Sequence, residues 1–421
     1  MKKVIVIGGG AAGMMAAVSA SDAGKEVLLL EKNEKLGKKL FITGKGRCNI
    51  TNDCDTEEFL NHVTTNRRFL YSSFSRFNNK NMIDFLNEAG LKTKVERGQR
   101  VFPQSDRSSD VIGIFKRLCN RKHIQILYHA VVSEILVKEN PLQENENTKK
   151  VFDGVRLSDG RIVKGDSLII ATGGCSYAST GSDGNGYQLA RSIGHSIKPV
   201  YPSLVPFVMK ETWCRDLMGL TLKNVSVRVK QNKKIIYDGF GEFLFTHFGV
   251  SGPLILTAST CLGKYQQALE EGRLTLVLDL KPVLTVEQLE KRYLREFDTY
   301  RNKNISNVME RMLPAKMIPV FLQLADVPEE KKVRDITKKE RHRMIDIMKA
   351  MEMHIAGVRG FEEAIITRGG INVKEVSPTT MESKLVEHVY FAGEILDVDA
   401  VTGGFNLQIA WSTGYTAGYF A

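Results

Sequence analysis

The first thirty residues show a pattern of apolar and small side chains that predicts strand, helix and strand in that order. Residues 4–7 and 27–30 are short apolar runs, and residues 11–23 between them are mostly small or apolar. Short apolar runs of this kind are typical of buried strands, and the stretch between them is long enough for a helix. The segment therefore predicts a βαβ unit.

Three glycines and one acidic residue occupy special positions in this unit. Gly8 makes the tight turn after the first strand, Gly10 lets the backbone approach a pyrophosphate, and Gly13 lets the helix pack closely against the strand. The helix N-terminus presents free N–H groups to an anion. Glu31 ends the second strand, where its carboxylate accepts hydrogen bonds from a ribose diol and repels a 2′-phosphate. The pattern predicts a site for FAD or NAD rather than NADP.

A signal peptide is the main alternative interpretation of this segment, since Lys2 and Lys3 precede an apolar stretch. Four glycines interrupt that stretch and no small-residue cleavage site follows, which favours the dinucleotide site. No other segment offers about 18 uninterrupted apolar residues. We therefore expect no membrane span.

The next part of the chain, to about residue 195, alternates helical and strand patterns. A glycine-containing loop covers 36–52, and helical patterns follow at 57–63, 67–76 and 81–89. Two strands, at 131–138 and 151–157, flank the polar stretch 140–150, which predicts an exposed hairpin tip. A buried strand at 167–171 runs into a second glycine-containing segment, 180–195, which starts a helix.

From about residue 200 the pattern changes to short strands and then to amphipathic helices. The strands are predicted at 204–209, 222–230, 234–237, 242–246 and 274–280. The helices are predicted at 286–297, 315–324 and 338–351. Strand character returns at 363–367 and 389–392, and a final helix begins near Phe405.

This order of elements predicts an α/β protein with a Rossmann-like dinucleotide-binding domain built from both ends of the chain. We expect its first part at 1–195 and its last part at 353–421, whose start can also complete the insertion. The insertion is predicted as a β-rich domain at 196–282 and a helical subdomain at 283–352. The length of 421 residues is typical of two or three domains.

The composition indicates the charge of the expected partners and the expected cellular compartment. The formal net charge of +11 indicates anionic partners such as nucleotides, nucleic acid or acidic surfaces, without choosing among them. The six cysteines show no CxxC or metal-ligand spacing, and the histidines show none either. We expect a cytoplasmic protein without a metal site, and the sequence does not predict its oligomeric state.

The C-terminal segment 389–418 distinguishes FAD from NAD as the predicted cofactor. A buried strand ends at Gly393 and Glu394, and Gly403 and Gly404 open a helix beginning near Phe405. In flavoenzymes such a second helix N-terminus faces the pyrimidine edge of the flavin ring, which becomes negative on reduction. The helix dipole stabilises that charge by about 0.3 to 2 kcal/mol. NAD-only dehydrogenases have no use for this feature, so the segment predicts FAD.

Six motifs, in order along the chain, carry a family resemblance. They are GGGAAG at 8–13, KLFITGKGRCNITN at 39–52, RVFPQSDRSSDV at 100–111, ATGGCSYASTGSDGNGYQLA at 171–190, FTHFGVSGP at 245–253 and GEILDVDAVTGGFNLQIAWSTG at 393–414. With these motifs the chain resembles the BaiN/RdsA (YhiN-like) flavoprotein family. The resemblance implies a glutathione-reductase-like FAD domain with inserted domains, and FAD enzymes that take electrons from reduced nicotinamide. Members are linked to reduction of conjugated C=C bonds in steroid enones or in a uridine of ribosomal RNA, and others carry an aminoacetone oxidase label.

The resemblance also implies which residues contact FAD. Four groups are expected at the pyrophosphate, the adenosine, the following loop and the ring: Gly8, Gly10, Ala12 and Gly13; Glu31, Lys32 and, through its backbone, Val132; Gly37 and Lys39; and Arg47, Cys48 and Asn49. Thr172 and Gly173 are expected to flank the cofactor. The ribityl chain and ring are expected to meet the C-terminal group Gly393, Glu394, Asp397, Gly404, Phe405, Asn406 and Leu407.

Four residues are candidates for the chemistry. Cys48, close to the ring, could donate a proton to substrate carbon, although packing against the cofactor is the simpler role. His247 is expected to face the flavin from the other side and could act as a general acid, or it could be a structural histidine in a turn. Tyr177 could polarise a substrate carbonyl and Arg100 could bind an anionic group.

A redox disulfide between Cys48 and Cys54 is a further possibility, but five residues separate them where flavin disulfide reductases have four. Asn49, Thr51 and Asn52 between them indicate a capped turn instead.

The electron donor and the substrate are the least determined. No second complete βαβ fingerprint follows, so NAD(P)H is expected to bind transiently, or the enzyme is an oxidase. Residues 331–343 carry seven Lys or Arg against two acids, which predicts either a solvated helix face or a contact with ribosomal RNA phosphates. We therefore predict an NAD(P)H-driven, FAD-dependent reductase of an activated C=C bond in a small molecule or in ribosomal RNA. The alternatives are an FAD-dependent amine oxidase and an RNA-binding flavoprotein with a non-catalytic flavin.

Overall fold

The computed structural model describes residues 1–139 and 150–421. The predicted hairpin tip at 140–150 falls, except for its last residue, outside the described residues. Within them the strands are β1 Lys3–Ile7, β2 Glu26–Leu30, β3 Thr51–Asn52, β4 Thr93–Glu96, β5 Arg100–Pro103, β6 Gln125–Leu127, β7 Val132–Glu139, β8 Lys150–Leu157, β9 Ile162–Val163, β10 Ser167–Ile170, β11 Ile197–Ser203, β12 Phe207–Met209, β13 Thr221–Gln231, β14 Lys234–Thr246, β15 Gly249–Ser251, β16 Leu274–Asp279, β17 Met351–Val358, β18 Ile366–Ile371, β19 Val386–Glu387 and β20 Val389–Phe391.

The α-helices of the described residues are fewer and vary widely in length. They are α1 Ala11–Asp22, α2 Lys38–Ile42, α3 Thr56–Asn61, α4 Tyr71–Arg76, α5 Asn79–Glu88, α6 Ser108–Arg121, α7 Asn185–Ser192, α8 Pro253–Cys261, α9 Gln266–Glu270, α10 Val286–Thr299, α11 Ile305–Met309, α12 Ile318–Leu324, α13 Lys338–Lys349 and α14 Phe405–Phe420. None of these helices combines the length and the apolar character that a membrane span requires.

The chain divides into two compact units. The first consists of Met1–Ser203 and Phe361–Ala421, and the second of Leu204–Gly360. The first unit is thus built from both ends of the chain. The predicted domain boundaries at 195, 282 and 352 stay predictions.

A five-stranded parallel sheet organises the first unit. Its strand order is β20-β10-β1-β2-β6. Ile7 at the end of β1 pairs in register with Leu30 of β2 and with Ile170 of β10, which pairs with Phe391 of β20. Because all of these strands are parallel, their carboxyl ends share one edge of the sheet. Strands β1, β10 and β20 are buried almost throughout, on both faces of the sheet, which explains why their sequences are uninterrupted apolar runs rather than alternations.

Smaller sheets complete this unit. β3, β5 and β4 form an antiparallel sheet, β11 pairs with β18, and β8 pairs with β7, β9 and β19. The predicted helix and strands of the N-terminal βαβ unit, and the predicted strand pair β7 and β8, are confirmed.

The second unit is a closed barrel with helices packed on it. The barrel order is β12-β15-β14-β13-β16-β17. Side chains from the barrel and from the helices share one hydrophobic core, including Val227 and Leu276 from strands and Tyr293, Phe321 and Met344 from helices. The barrel and the helical segment are therefore packed as one body within this unit.

Three predicted strand assignments differ from the structure. The strand predicted at 204–209 begins only at Phe207. The strands predicted at 234–237 and 242–246 are one continuous strand, β14, which pairs with β13 along most of its length through two irregularities in register. Cross-strand pairing outweighs the weak strand preference of Gly239 and Gly241, which lie between the two predicted strands. The strand predicted at 363–367 begins only at Ile366, where pairing with Ser203 of β11 starts.

Candidate dinucleotide site

The predicted cofactor residues of the first unit follow directly after the strands of the parallel sheet. Gly8 follows β1, Glu31 follows β2, Thr172 comes two residues after β10, and Gly393 comes two residues after β20. The register of these strands brings their carboxyl ends together at one edge. Ligands of open parallel α/β sheets bind in the crevice outside this edge.

The turn between β1 and α1 is shaped by glycines at two close approaches. The N–H of Gly8 donates to the carbonyl of Leu30 at 2.8 Å, and its φ of +100° lies in the region that favours glycine. A Cβ on Gly13 would lie 1.8 Å from the carbonyl oxygen of Gly8, so only glycine allows the helix to pack this closely. At Gly10, by contrast, a Cβ would meet no described atom within 4 Å.

The N-terminus of α1 presents free backbone N–H groups. Its N-cap is Gly10, and no side chain of the described residues caps it. The first four N–H groups of an α-helix have no partner within the helix and favour an anion. Open space at Gly10 beside uncapped N–H groups is the arrangement that a pyrophosphate needs.

A second helix N-terminus is offset from the first. A Cβ on Gly414 of α14 would lie 2.4 Å from the carbonyl oxygen of Ala12, and one on Gly418 would lie 2.3 Å from that of Ala16. The two helices therefore run parallel at close range. Phe405 begins α14 nine residues before Gly414, and Ala11 begins α1 one residue before Ala12. The N-terminus of α14 therefore lies about 12 Å beyond that of α1 at 1.5 Å per residue.

The loop before α14 also depends on a close approach. Gly404, the N-cap of α14, has a φ of +99°, and a Cβ there would lie 2.4 Å from the carbonyl oxygen of Thr51. The side-chain amide of Asn52 donates to the carbonyls of Gly98 and Gly403 at 3.0 and 3.1 Å. Sequence reasoning missed this role of Asn52, although the residue ends the 39–52 motif.

Glu31 is buried and holds the turns around it. One carboxylate oxygen accepts from the N–H of Gly9 at 2.7 Å, and the other accepts from the backbone and side chain of Asn33 at 2.8 and 2.7 Å. An ionised carboxylate has about four acceptor positions, so about one remains for a ribose hydroxyl. Lys32 beside it forms an ion pair with Asp183 at 2.7 Å.

Lys39 and Glu394 form the centre of a polar network. The Lys39 ammonium lies 2.6 Å from one oxygen of Glu394 and 2.5 Å from the hydroxyl of Ser176. The other oxygen of Glu394 accepts from the Ser176 hydroxyl and from the N–H of Thr367, both at 2.8 Å. The network joins α2, the loop after β10, strand β18 and the segment after β20.

Arg47 is held by carboxylates rather than free to meet a ligand. Its guanidinium lies 2.6 Å from Glu96 and 2.5 Å from Asp106, and it stacks on the ring of Phe102 at 4.2 Å. The hydrogen bond from Arg47 lowers the pKa of Glu96, and hydrogen bonds from Lys94 and Arg47 lower that of Asp106. A direct contact of Arg47 with the cofactor stays a prediction.

Two buried polar atoms at predicted cofactor residues lack a partner. They are the side-chain oxygen of Asn49 and the hydroxyl of Thr172, which have no hydrogen bond within the described residues. Buried polar groups are normally hydrogen-bonded, so each such atom calls for an explanation. Together with the open space at Gly10 and the two helix N-termini, these two unpartnered atoms fit a bound dinucleotide that offers them hydrogen-bond partners.

Comparison with known proteins agrees with this geometry. The model of the HI0933-like protein Rossmann domain family matches residues 2–420. The chain belongs to this family. The predicted Rossmann-like α/β fold and the predicted family resemblance are confirmed.

Relatives of the HI0933-like chain span its whole length. A 3-dehydro-bile acid delta(4,6)-reductase of Clostridium scindens is 31% identical, with 99% of this chain and 98% of that protein covered. A ribosomal RNA dihydrouridine synthase of Haemophilus influenzae is 29% identical, with 98% and 96% covered.

A solved 3-ketosteroid-delta4-(5alpha)-dehydrogenase of Rhodococcus jostii RHA1 has the same fold. It is 14% identical, with a TM-score of 0.52 and with 99% of this chain and 96% of that chain covered. The family and the fold together indicate an FAD-dependent oxidoreductase.

Three further residues of this HI0933-like chain that are predicted to contact FAD form hydrogen bonds within the protein. Asn406 exchanges hydrogen bonds with the backbone of Ala400 at 2.8 and 2.9 Å, and Asp397 accepts from Asn66 at 3.0 Å. Burial raises the pKa of Asp397. The carbonyl of Val132 accepts from Asn185 at 3.2 Å. These residues shape the site, and their contacts with FAD stay predictions.

Of the chemical candidates, Cys48 is the least accessible. Its side chain is 0% exposed, and burial raises the pKa of its thiol to about 12. Cys48 and Cys54 are both free, and burial raises the pKa of Cys54 to about 12 as well. A thiol that is fully buried and holds its proton this strongly is poorly suited to donate it to a substrate.

The buried Cys48 thiol should make the protein less stable in alkali. Its native pKa of about 12 exceeds its ordinary value of 9, so its contribution is intact below about pH 9 and is lost as pH rises towards 12. At about pH 10.5 we expect Cys48 alone to lower the free energy of unfolding by about 2 kcal/mol. Denaturant titrations at about pH 8 and 10.5 measure this loss. In Cys48→Ala the loss between the two pH values should shrink by that amount, and an unchanged loss would contradict the assignment.

Tyr177 and Arg100 lie in the first unit, and His247 lies in the second. Tyr177 is half-buried with a φ of +54°, and burial raises the pKa of its hydroxyl. Arg100 is exposed and donates to the carbonyl of Arg97 at 3.0 Å. His247 is exposed at the end of β14 and lines a cavity within the second unit. The roles given to these residues stay predictions.

The basic segment 331–343 is largely neutralised by its own surroundings. Four of its seven cations form ion pairs: Lys331 with Glu340, Arg334 with Asp335, Arg341 with Glu290 and Arg343 with Asp326. Within the described part of the chain, Lys332, Lys338 and Lys339 have no such partner. Three exposed lysines are left for phosphates, and the contact with ribosomal RNA stays a prediction.

Proposed function

We propose that this protein is an FAD-dependent reductase of an activated C=C bond that takes its electrons from NAD(P)H. The observation that carries the proposal is the parallel pair of α1 and α14, with N-termini about 12 Å apart along their axes. One terminus suits a pyrophosphate, and the other suits a ring that becomes negative on reduction. An NAD-only dehydrogenase has no use for the second.

The residues that would hold FAD are those at the sheet edge. The N–H groups after Gly10 would bind the pyrophosphate, and the remaining acceptor position of Glu31 would bind the ribose. Asn49 and Thr172 supply buried polar atoms that a cofactor would satisfy. When bound, FAD supplies hydride transfer from the nicotinamide donor to the substrate.

The relatives' names support the proposed substrate class. A bile acid reductase and dihydrouridine synthases share the saturation of a C=C bond conjugated to a carbonyl. A proton must be supplied to the carbon that does not receive hydride. Because Cys48 is fully buried whereas Tyr177 is half-buried and His247 is exposed, Tyr177 and His247 are the side chains that we propose for this role, with water as the alternative.

Anaerobic rapid mixing of the holoprotein with NADH or NADPH tests the proposal. We expect the flavin absorbance to bleach with at least one donor and to return when a suitable acceptor is added. A 4-ene-3-oxo steroid and ribosomal RNA lacking dihydrouridine are the two acceptors to compare. Absence of bleaching with both donors would contradict a reductase. Steady hydrogen peroxide release with an amine would then indicate an oxidase, and tight RNA binding alone would indicate a non-catalytic flavin.

A further inference from the structure

The second unit contains a cavity that is lined only by residues of this unit. It has a volume of about 420 Å³ and lies at the end of the barrel where β12, the turn after β14 and the residue after β17 come together. Val208, Met209 and Phe248 supply apolar wall. A cavity of this size accommodates a ligand as large as a nucleotide.

The charged lining of this cavity is mainly positive. Lys210, Arg215 and Arg359 carry permanent cations, and His247 adds an imidazole. The guanidinium of Arg359 stacks on the ring of Phe248 at 4.8 Å, and the ring of His247 meets that of Phe248 edge-on at 4.8 Å. The ring of Phe248 therefore packs against both the guanidinium of Arg359 and the imidazole of His247.

The one carboxylate of the lining is already engaged elsewhere. Glu211 accepts from the backbone N–H of His354 through both oxygens, at 3.0 and 2.9 Å, and from its ring nitrogen at 2.8 Å. Within the described residues, the side chain of Arg215 makes no ion pair with Glu211 or with another acid. Within the same described residues Lys210 makes no ion pair either, so two cations of the lining, Lys210 and Arg215, have no acidic partner.

We propose that this cavity binds the phosphate group of a nucleotide. A dianionic phosphate matches the excess positive charge better than a single carboxylate does, and arginine binds phosphate through parallel N–H donors. The apolar wall at Val208 and Phe248 would receive the rest of the ligand. The phosphate could belong to the nicotinamide donor or to a nucleic-acid substrate. This proposal rests on the residues that line the cavity and does not depend on the proposed reaction.

Calorimetric titration of the holoprotein with inorganic phosphate and with adenosine 2′,5′-bisphosphate tests this site. We expect both to bind, the bisphosphate more tightly. In Arg215→Ala the affinity should fall roughly ten- to a hundredfold, as for loss of charge-assisted hydrogen bonds, and Arg215→Lys should recover part of it. Arg359→Gln should weaken binding similarly. Arg295→Ala, which removes an exposed arginine of the same unit outside the cavity, should bind as the wild type does.

Two further kinds of ligand distinguish the two possible sources of the phosphate. Tighter binding of NADP+ than of NAD+, lost in Arg215→Ala, would identify the electron donor. Tighter binding of a short uridine oligonucleotide, with NADP+ and NAD+ equal, would identify a nucleic-acid substrate. The proposal is overturned if neither phosphate probe binds, or if Arg215→Ala and Arg295→Ala bind equally well. Because Arg215 is exposed, its removal should not prevent folding, and binding is measured without turnover, so a failed reductase assay leaves this test intact.

Discussion

A Gly10→Val variant is expected to fold like the wild-type protein and to purify without flavin. The φ of Gly10 is −80°, which any residue adopts, and a Cβ there meets no atom of the described protein within 4 Å. The added side chain therefore fills only the space in front of the free N–H groups of α1. If that space receives the pyrophosphate, flavin binding fails while the protein fold persists.

Gly13→Ala is the informative comparison, because it should damage the fold as well. Its Cβ would lie 1.8 Å from the carbonyl oxygen of Gly8, which is backbone and cannot rotate away. Separating α1 from the turn after β1 should cost roughly 3 kcal/mol of unfolding free energy, the upper range for overpacking. Both variants should lack flavin, but only Gly13→Ala should unfold at lower denaturant concentration than apoprotein from the wild type.

Flavin absorbance of the purified protein, circular dichroism and denaturant titration of the apoproteins separate these outcomes. A Gly10→Val protein that retains stoichiometric flavin would show that the pyrophosphate lies elsewhere. A Gly10→Val protein as unstable as Gly13→Ala would show that Gly10 is needed for the fold rather than for the ligand.

The parts of the molecule that the sequence predicts well are those set by local patterns. The βαβ unit depends on residues within one short segment, and the glycines at its turn are required by contacts a few residues apart, such as Gly13 with Gly8. The start of α14 near Phe405 was predicted correctly for the same reason, because Gly403 and Gly404 precede it directly.

Long-range pairing is what the sequence did not reveal. Lys39 and Glu394 are 355 positions apart, and nothing in either motif indicates that they form an ion pair rather than two separate cofactor contacts. Arg47 reaches Glu96 and Asp106 across the β4 and β5 hairpin. The segment 331–343 likewise does not reveal that Glu290 and Asp326, which lie outside it, neutralise part of its charge.

The Lys39 and Glu394 network leads to the second large expected effect. Glu394→Ala should lower the free energy of unfolding by about 3 kcal/mol, because three donors lose their acceptor: the Lys39 ammonium, the Ser176 hydroxyl and the Thr367 N–H. The side chains of Lys39 and Glu394 are only 22% and 21% exposed, so water replaces the lost bonds poorly. Glu394→Gln, which keeps one acceptor oxygen, should lose less.

The same change should weaken FAD binding without any direct contact being required. The network fixes α2 and the loops after β10 and β20, which carry Gly37, Thr172 and Gly393. If those loops are loosened, FAD must order them when it binds, which costs free energy. We therefore expect a rise in the Kd for FAD along with the loss of stability. Glu134→Ala, which breaks the exposed pair with Arg156, is the matched control and should cost less than about 1 kcal/mol. Equal stability of Glu394→Ala and Glu134→Ala would show that the network is an ordinary surface ion pair. A destabilised Glu394→Ala that binds FAD normally would show that the three segments keep their positions without it.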